Sequence, residues 1–187
     1  MAEQFSILED AVRDMFARAV WSHKIQEKQA DIYQKQYKWM ETVSIICASL
    51  TSVGILSTIF TDQLWINIVS AVLSFVTVFV AAYFKSFDLN KLTKAHKEAA
   101  NKLLIVRNEI TCLLTSIKLK EKPVSELEDR YRELVEKANE VYKDAPTTTD
   151  KAVKLAKEAL QVTGDNTFSK DEIDSYLPEA LQKGGKK

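Results

Sequence analysis

Residues 42–84 constrain the fold of this chain more than any other part of it. They contain two runs without a charged residue, 42–60 and 64–84, which are separated only by residues 61–63. Each run is close to the roughly 20 residues that an α-helix needs to cross about 30 Å of hydrocarbon. Backbone amides in hydrocarbon must be paired within their own segment, so both runs are predicted to be helices although Val, Ile and Thr are frequent in them. The sequence therefore predicts a transmembrane helical hairpin.

A pair of buried helices in a soluble bundle is the alternative interpretation. Core helices normally have one apolar stripe and a polar back, whereas both runs are apolar on every face. A chain of 187 residues would have to bury two such helices next to each other. We therefore favour the membrane hairpin, and the expected fold class is an all-α integral membrane protein with two spans.

Lysines flank both runs on the side away from the turn. Those before the first run are Lys24, Lys28, Lys35 and Lys38, and those after the second run are Lys85, Lys91, Lys94, Lys97 and Lys102. The turn contains neither Lys nor Arg, so the positive-inside rule predicts a multi-pass protein with both termini in the cytoplasm. The aromatic residues expected to anchor the hairpin at the membrane surfaces are Trp39, Trp65, Tyr83 and Phe84.

The hairpin divides the chain into four parts. They are an N-terminal cytoplasmic helix at 1–41, the hairpin at 42–84, a coiled-coil-like cytoplasmic helix at 85–118, and a C-terminal cytoplasmic helical region with a tail at 119–187. The N-terminal helix is predicted to run directly into the first span, because no proline or glycine interrupts residues 5–39.

Two apolar patterns with coiled-coil-like spacing flank the hairpin. The N-terminal pattern is formed by Phe5, Leu8, Val12, Met15 and Ala19. The second pattern, which we term the seam, is formed by Leu92, His96, Ala99, Leu103, Val106, Ile110, Leu113 and Ile117. A repeat of about 3.5 residues needs a helical partner along its whole length. That partner is either the N-terminal helix, held antiparallel by the hairpin, or a helix of another protomer.

The C-terminal region carries three signals for the start of a helix. Ser125 and Glu128 have the spacing of a capping box. Asp150 is predicted to be the N-cap of the next helix, and Ser169 with Glu172 forms a second capping box. We therefore expect one helix that ends near residue 143 and two shorter helices after it.

Small and weakly polar side chains line one face of each uncharged run. In the second run they are Asn67, Ser70, Ser74, Thr77 and Ala81, and in the first run they are Ser44, Ala48 and Ser52. They either let the helices pack closely or line a water-filled opening in an oligomer. In a close packing, each interhelical hydrogen bond would contribute about 0.6–2 kcal/mol to the stability of the helix pair. Neither run contains Asp, Glu, Lys or Arg, which argues against proton-coupled transport and against strong charge selectivity.

The sequence contains no constellation typical of an enzyme. His23 and His96 have no neighbouring Cys, His or carboxylate at the spacing of a metal site or an activated nucleophile, and there is no Gly-rich phosphate loop. We therefore expect no catalysis, no cofactor and no metal. The 26 basic residues are balanced by 26 acidic ones without a dense basic patch, so nucleic acid is not an expected partner. His96 lies on the seam, where it either fixes helix register or senses pH or a ligand.

Several local runs resemble a known protein family. They are WSHKIQEKQA at 21–30, YKW at 37–39, AHKEAA at 95–100, RNEI at 107–110 and FSKDEID at 168–174. Together with the two closely spaced spans, they resemble the SLATT domains, which are the SMODS- and SLOG-associating two-transmembrane effector domains of prokaryotic conflict systems.

The resemblance implies an antiphage or self-killing effector. Such a protein would assemble as an oligomer in the bacterial inner membrane and form pores when a separate sensor protein or a nucleotide second messenger gives the signal. The seam would then act as the gating element, because its helix continues into the membrane. The alternative is a non-conducting two-span anchor or signalling adaptor that recruits a cytoplasmic partner.

Overall fold

The computed structural model describes residues 2–58, 64–165, 167–178 and 181–183. These residues form six helices and no strand, so the prediction of an all-α fold is confirmed for them. The helices are α1 (Ala2–Thr58), α2 (Leu64–Ser86), α3 (Leu89–Leu119), α4 (Val124–Asp144), α5 (Asp150–Gln161) and α6 (Lys170–Tyr176).

The first helix, α1, is continuous through the N-terminal charged segment and most of the first apolar run. It has 57 residues and is therefore about 85 Å long at about 1.5 Å per residue. The end of the first run, residues 59–60, and the predicted turn at 61–63 lie outside the described residues.

The second apolar run forms α2. Among the described residues, one helical stretch is long and apolar enough to cross a membrane by length and composition, and it is Leu64–Leu119, which begins with α2. Its most apolar window has a mean hydropathy of 2.2, and 6% of that window is buried. Phe87 and Asp88 then interrupt the helix. Asp88 caps α3 by accepting a hydrogen bond from the Lys91 amide at 2.9 Å.

The main core lies between α1, α3 and α4. Its buried members are Leu8, Val12, Met15 and Ala19 of α1, Val106, Ile110, Leu113 and Ile117 of α3, and Leu127, Leu134 and Ala138 of α4. A smaller cluster of Met40, Val80 and Leu89 lies where α2 gives way to α3. Of the two partners that the sequence left open for the seam, the structure places α1 against it, in antiparallel orientation.

Two of the predicted helix starts are wrong by one or two residues. Pro123 is the N-cap of α4, and its carbonyl accepts the Glu126 amide at 3.1 Å, so Ser125 already lies inside the first turn and forms no capping box. Thr149, and not Asp150, is the N-cap of α5, and its hydroxyl accepts the Ala152 amide at 3.4 Å.

The third predicted start is confirmed. Ser169 Oγ accepts the Glu172 amide at 3.2 Å, and the Glu172 carboxylate accepts the Ser169 amide at 2.7 Å. Both halves of the capping box are therefore present at the start of α6.

Candidate functional site

The apolar end of α1 packs closely against α2 at Gly54 and Ser70. A Cβ atom added at Gly54 would lie 2.1 Å from Ser70 Oγ and 3.3 Å from Ser70 Cβ. The missing side chain at Gly54 thus lets the two backbones approach more closely than any other residue would allow.

The predicted small-residue positions fall into two groups. Ser44, Ser70, Ser74 and Thr77 are half-buried, whereas Ala48, Ser52, Asn67 and Ala81 are exposed on the protomer. The hydroxyls of Ser52 and Thr77 donate to carbonyls of their own helices at 3.0 Å, so they are satisfied without a second helix. The exposed group is open to lipid, water or another protomer.

The four predicted anchor residues differ in their exposure. Trp39 and Trp65 are exposed, at 69% and 62%. Tyr83 and Phe84 are half-buried between the helices: Tyr83 accepts a hydrogen bond from Gln36 at 3.1 Å, and the Phe84 ring lies 5.3 Å from that of Tyr37. Both tryptophans thus expose much of their ring surface on the protomer, whereas Tyr83 and Phe84 contribute to helix packing.

The seam is buried against α1 along almost its whole length. Leu92 is half-buried and all the other seam residues are buried. The part from Val106 to Ile117 belongs to the main apolar core. The part around His96 faces polar side chains of α1 instead.

The buried polar side chains of the described residues lie in one zone, which we term the polar layer. They are His23, Lys24, Gln26 and Gln29 of α1 together with Thr93 and His96 of α3. The polar layer begins where the N-terminal apolar pattern of α1 ends. The segment that contains α5 contacts α1 at the same level.

The Gln26 amide joins α3 to the segment before α5. His96 Nδ1 lies 2.5 Å from Gln26 Oε1, and Gln26 Nε2 donates to the Pro146 carbonyl at 3.2 Å. Because a carbonyl can only accept, the amide nitrogen must face Pro146 and the amide oxygen must face His96. His96 therefore carries its proton on Nδ1 and donates to Gln26.

Gln29 holds the start of α5. Its side chain is fully buried, and its oxygen accepts from the Thr149 amide at 2.9 Å and from the Thr149 hydroxyl at 2.8 Å. Its nitrogen and His23 Nδ1 have no hydrogen-bond partner among the described residues. Burying a polar atom in this way costs about 1–3 kcal/mol, so the polar layer is incompletely satisfied as it stands.

Two lysines of α1 hold Asp165, which follows the end of α5. Lys24 is 3% exposed, and its ammonium lies 2.6 Å from Glu27 and 3.5 Å from Asp165. The Lys28 ammonium lies 3.7 Å from the same Asp165 oxygen. A buried lysine requires such partners, because an unpaired charge in this position would be strongly unfavourable.

Burial lowers the pKa of both histidines. For His96, loss of contact with water is the cause. For His23, burial is again the main cause; Arg107 and Lys24 lower its pKa further, and Glu27 opposes them. Both imidazoles are therefore neutral at pH 7.

Sequence reasoning identified His96 but missed Lys24, Gln26, Gln29 and the two C-terminal residues that contact them, Thr149 and Asp165. One signal was present: the apolar pattern of the N-terminal helix stops at Ala19 while the seam continues through His96. An antiparallel partner must therefore offer polar side chains to that part of the seam. No periodic signal marks the contacts of Thr149 or Asp165.

No curated protein and no solved structure matches the chain significantly. A family model does match, over residues 8–172, and its description is SMODS and SLOG-associating 2TM effector domain family 4. The matched region includes both apolar runs, the seam, the polar layer and Asp165. The resemblance seen in the local runs is thereby confirmed, and the chain belongs to the SMODS and SLOG-associating two-transmembrane effector domain family.

Proposed function

We propose that this effector domain permeabilises the bacterial inner membrane as a homo-oligomer, with both apolar runs as spans, both termini in the cytoplasm and the seam as the gating element. The trigger is a separate sensor protein or a nucleotide second messenger. In this proposal the protein is not an enzyme and needs no cofactor, metal or nucleic acid.

The observation that carries the proposal is the exposed apolar surface of α2. Phe75 is 72% exposed, Phe79 is 59% exposed and Val72 is 56% exposed on the protomer. A contiguous apolar surface of this kind is covered in the working state by lipid, by another protomer or by both. The surface supports membrane insertion and leaves room for assembly within the bilayer.

The continuity of the helices supports gating from the cytoplasmic side. The first apolar run is the end of α1, and α2 is separated from α3 by only Phe87 and Asp88. A shift of α1 against the seam therefore moves the first run directly, because α1 is continuous, and it reaches the second run through the two-residue link at Phe87 and Asp88. This rigid connection is what a cytoplasmic trigger needs in order to act on the membrane part.

Asn67 supports assembly of several protomers. It is exposed on the protomer, within a helix whose other outward side chains are largely apolar. An amide that faces hydrocarbon is unfavourable by about 1–3 kcal/mol, so this side chain gains by facing water or another protomer.

The test is dye release from phospholipid vesicles that contain the purified protein, measured together with oligomer mass in detergent. We expect release from an oligomer, and we expect Asn67→Leu to lower the release rate about tenfold. Ile68→Leu, a change at the adjacent exposed position, is the matched control and should release dye at the parent rate. Vesicle flotation confirms that each variant is inserted.

Intact vesicles at every protein-to-lipid ratio, with candidate nucleotides added as well as without them, would contradict permeabilisation by the unaided or nucleotide-triggered protein and would favour the non-conducting anchor or adaptor. Release that is equal in Asn67→Leu and Ile68→Leu would contradict a water-facing or interprotomer role for Asn67.

A further inference from the structure

Residues 145–165, which we term the C-terminal strap, contact α1 through a thin apolar interface. The buried side chains of its helix α5 are three alanines, Ala152, Ala156 and Ala159. Alanine removes little apolar surface from water compared with leucine or valine. Beyond this contact a groove of about 780 Å³ opens between α1 and α5, so the two helices do not close against each other along their full length.

Polar contacts at the two ends of α5 complete the attachment. Thr149 at the start bonds to Gln29, and Asp165 after the end pairs with Lys24 and Lys28. All three α1 residues lie within two helical turns. Release of this short stretch therefore frees the whole strap.

The docked strap also leaves polar atoms without partners. Gln29 Nε2 is buried and unpaired among the described residues, as is His23 Nδ1. Once Thr149 moves away, water can form hydrogen bonds with the Gln29 amide. These bonds offset part of the free energy lost with the two hydrogen bonds from Thr149. The docked and released states are thereby brought closer in free energy.

The Gln26 side chain connects the strap to the seam by hydrogen bonds. Gln26 bonds to Pro146 of the strap on one side and to His96 of the seam on the other. Loss of the strap leaves the Gln26 nitrogen without its acceptor, and the amide is then free to turn away from His96. The position of the strap thus affects the hydrogen bonding of His96 in α3.

We propose that the C-terminal strap is a reversible latch that, when docked on residues 24–29, keeps α1 and the seam in the packed arrangement. If the proposed permeabilising function holds, the docked strap is also an autoinhibitory contact, because it immobilises the helices that continue into the spans. The trigger would act by displacing it.

The latch is tested with a thiol reporter in full-length protein. Ala156 is fully buried, so in Ala156→Cys a maleimide reagent reacts only after the strap is released. Peptide mass spectrometry separates this thiol from Cys47 and Cys112. We expect Asp165→Asn combined with Gln29→Leu to raise the labelling rate at position 156 at least tenfold. Lys154→Gln, a charge change at an exposed α5 residue, is the control and should leave the rate unchanged.

Hydrogen exchange in the same variants tests the connection to the seam. We expect faster exchange in α3 around His96 and unchanged exchange between Ile110 and Ile117, which belong to the apolar core. Circular dichroism confirms that helix content is retained. An unchanged labelling rate at position 156 would overturn the latch, and faster labelling without faster exchange near His96 would overturn its connection to the seam.

Dye release from vesicles separates the latch from the proposed function. We expect the Asp165→Asn, Gln29→Leu protein to release dye at least threefold faster than the Lys154→Gln control. Release at equal rates would overturn autoinhibition while the permeabilising function stands. Absence of release from every protein, including the parent, would contradict permeabilisation and with it autoinhibition, whereas labelling and exchange would still decide whether the strap is a latch on the seam.

Discussion

The side chain at position 26 must offer both a hydrogen-bond donor and an acceptor. The Gln26 oxygen accepts from His96 and its nitrogen donates to the Pro146 carbonyl. A glutamate would present an acceptor to that carbonyl, and a leucine would present neither group. A single residue thus determines the His96 tautomer and one contact of the C-terminal strap.

The stability of the protein should fall as the pH is lowered through the range below 6.5. Burial lowers the pKa of His96 and His23 from the ordinary value of 6.5, so the unfolded chain takes up protons at a higher pH than the folded protein does. The stabilising contribution of the neutral imidazoles is complete above pH 6.5 and is lost between 6.5 and the lower pKa of the folded state. Thermal unfolding in detergent between pH 8 and pH 5, followed by circular dichroism, measures this change.

The variant His96→Gln gives the control for this pH dependence. It removes one of the two buried imidazoles, so its melting temperature should depend on pH less steeply than that of the parent protein. The same slope in both proteins would show that His96 does not contribute to the acid sensitivity.

The residues of the polar layer were only partly accessible to sequence reasoning. His96 could be identified because it interrupts an apolar repeat. Gln26 and Gln29 lie in a stretch rich in Gln, Lys and Glu, where a polar residue usually faces solvent. Their burial follows from the antiparallel placement of α3 and the strap, which no local pattern reports.

At the scale of single helices, sequence patterns predicted the existence of each helix better than its first residue. The box of Ser169 and Glu172 is local in sequence and was predicted correctly. At α4, Pro123 already holds a φ of −57° and supplies the first carbonyl acceptor, so the helix begins before Ser125 can act as a cap. At α5, Gln29 of a distant helix holds Thr149 in the N-cap position.

The close approach of α1 and α2 makes Gly54 sensitive to any side chain. In Gly54→Ala the new Cβ would meet Ser70 Oγ at 2.1 Å, so the helices must separate or Ser70 must move. We expect a loss of about 1–3 kcal/mol in stability, as is usual when a well-packed contact is overfilled. Thermal unfolding in detergent measures the effect.

Two further variants identify the cause of that loss. Ala48→Val adds bulk to an exposed position of the same helix and should change stability little. Adding Ser70→Ala to Gly54→Ala removes the colliding oxygen and should restore most of the lost stability. Without this rescue, the contact between Gly54 and Ser70 would not be the reason for the glycine.

At the scale of the whole molecule, the apolar repeats left two possible partners for the seam, and the structure places α1 against it. The N-terminal apolar pattern covers residues 5–19 and the seam covers residues 92–117, so the pattern could account for only part of the seam. The docking of α5 could not be predicted, because it rests on three buried alanines and on the polar contacts of Gln29 and Asp165. Contacts of that kind leave no repeat in the sequence.

The main core and the first apolar run should respond together to a cavity in the seam, because α1 connects them without a break. Ile110 is fully buried, and Ile110→Ala should destabilise the bundle by about 2–5 kcal/mol. Ile105→Ala removes the same atoms from a residue of α3 that is 52% exposed and should lower the stability much less.

If the seam gates the proposed pore, the loosened Ile110→Ala protein should release vesicle dye faster than Ile105→Ala. Equal release despite unequal melting temperatures would mean that core packing and the membrane segment are uncoupled, and the gate would then have to lie nearer the bilayer, at the polar layer or within the hairpin.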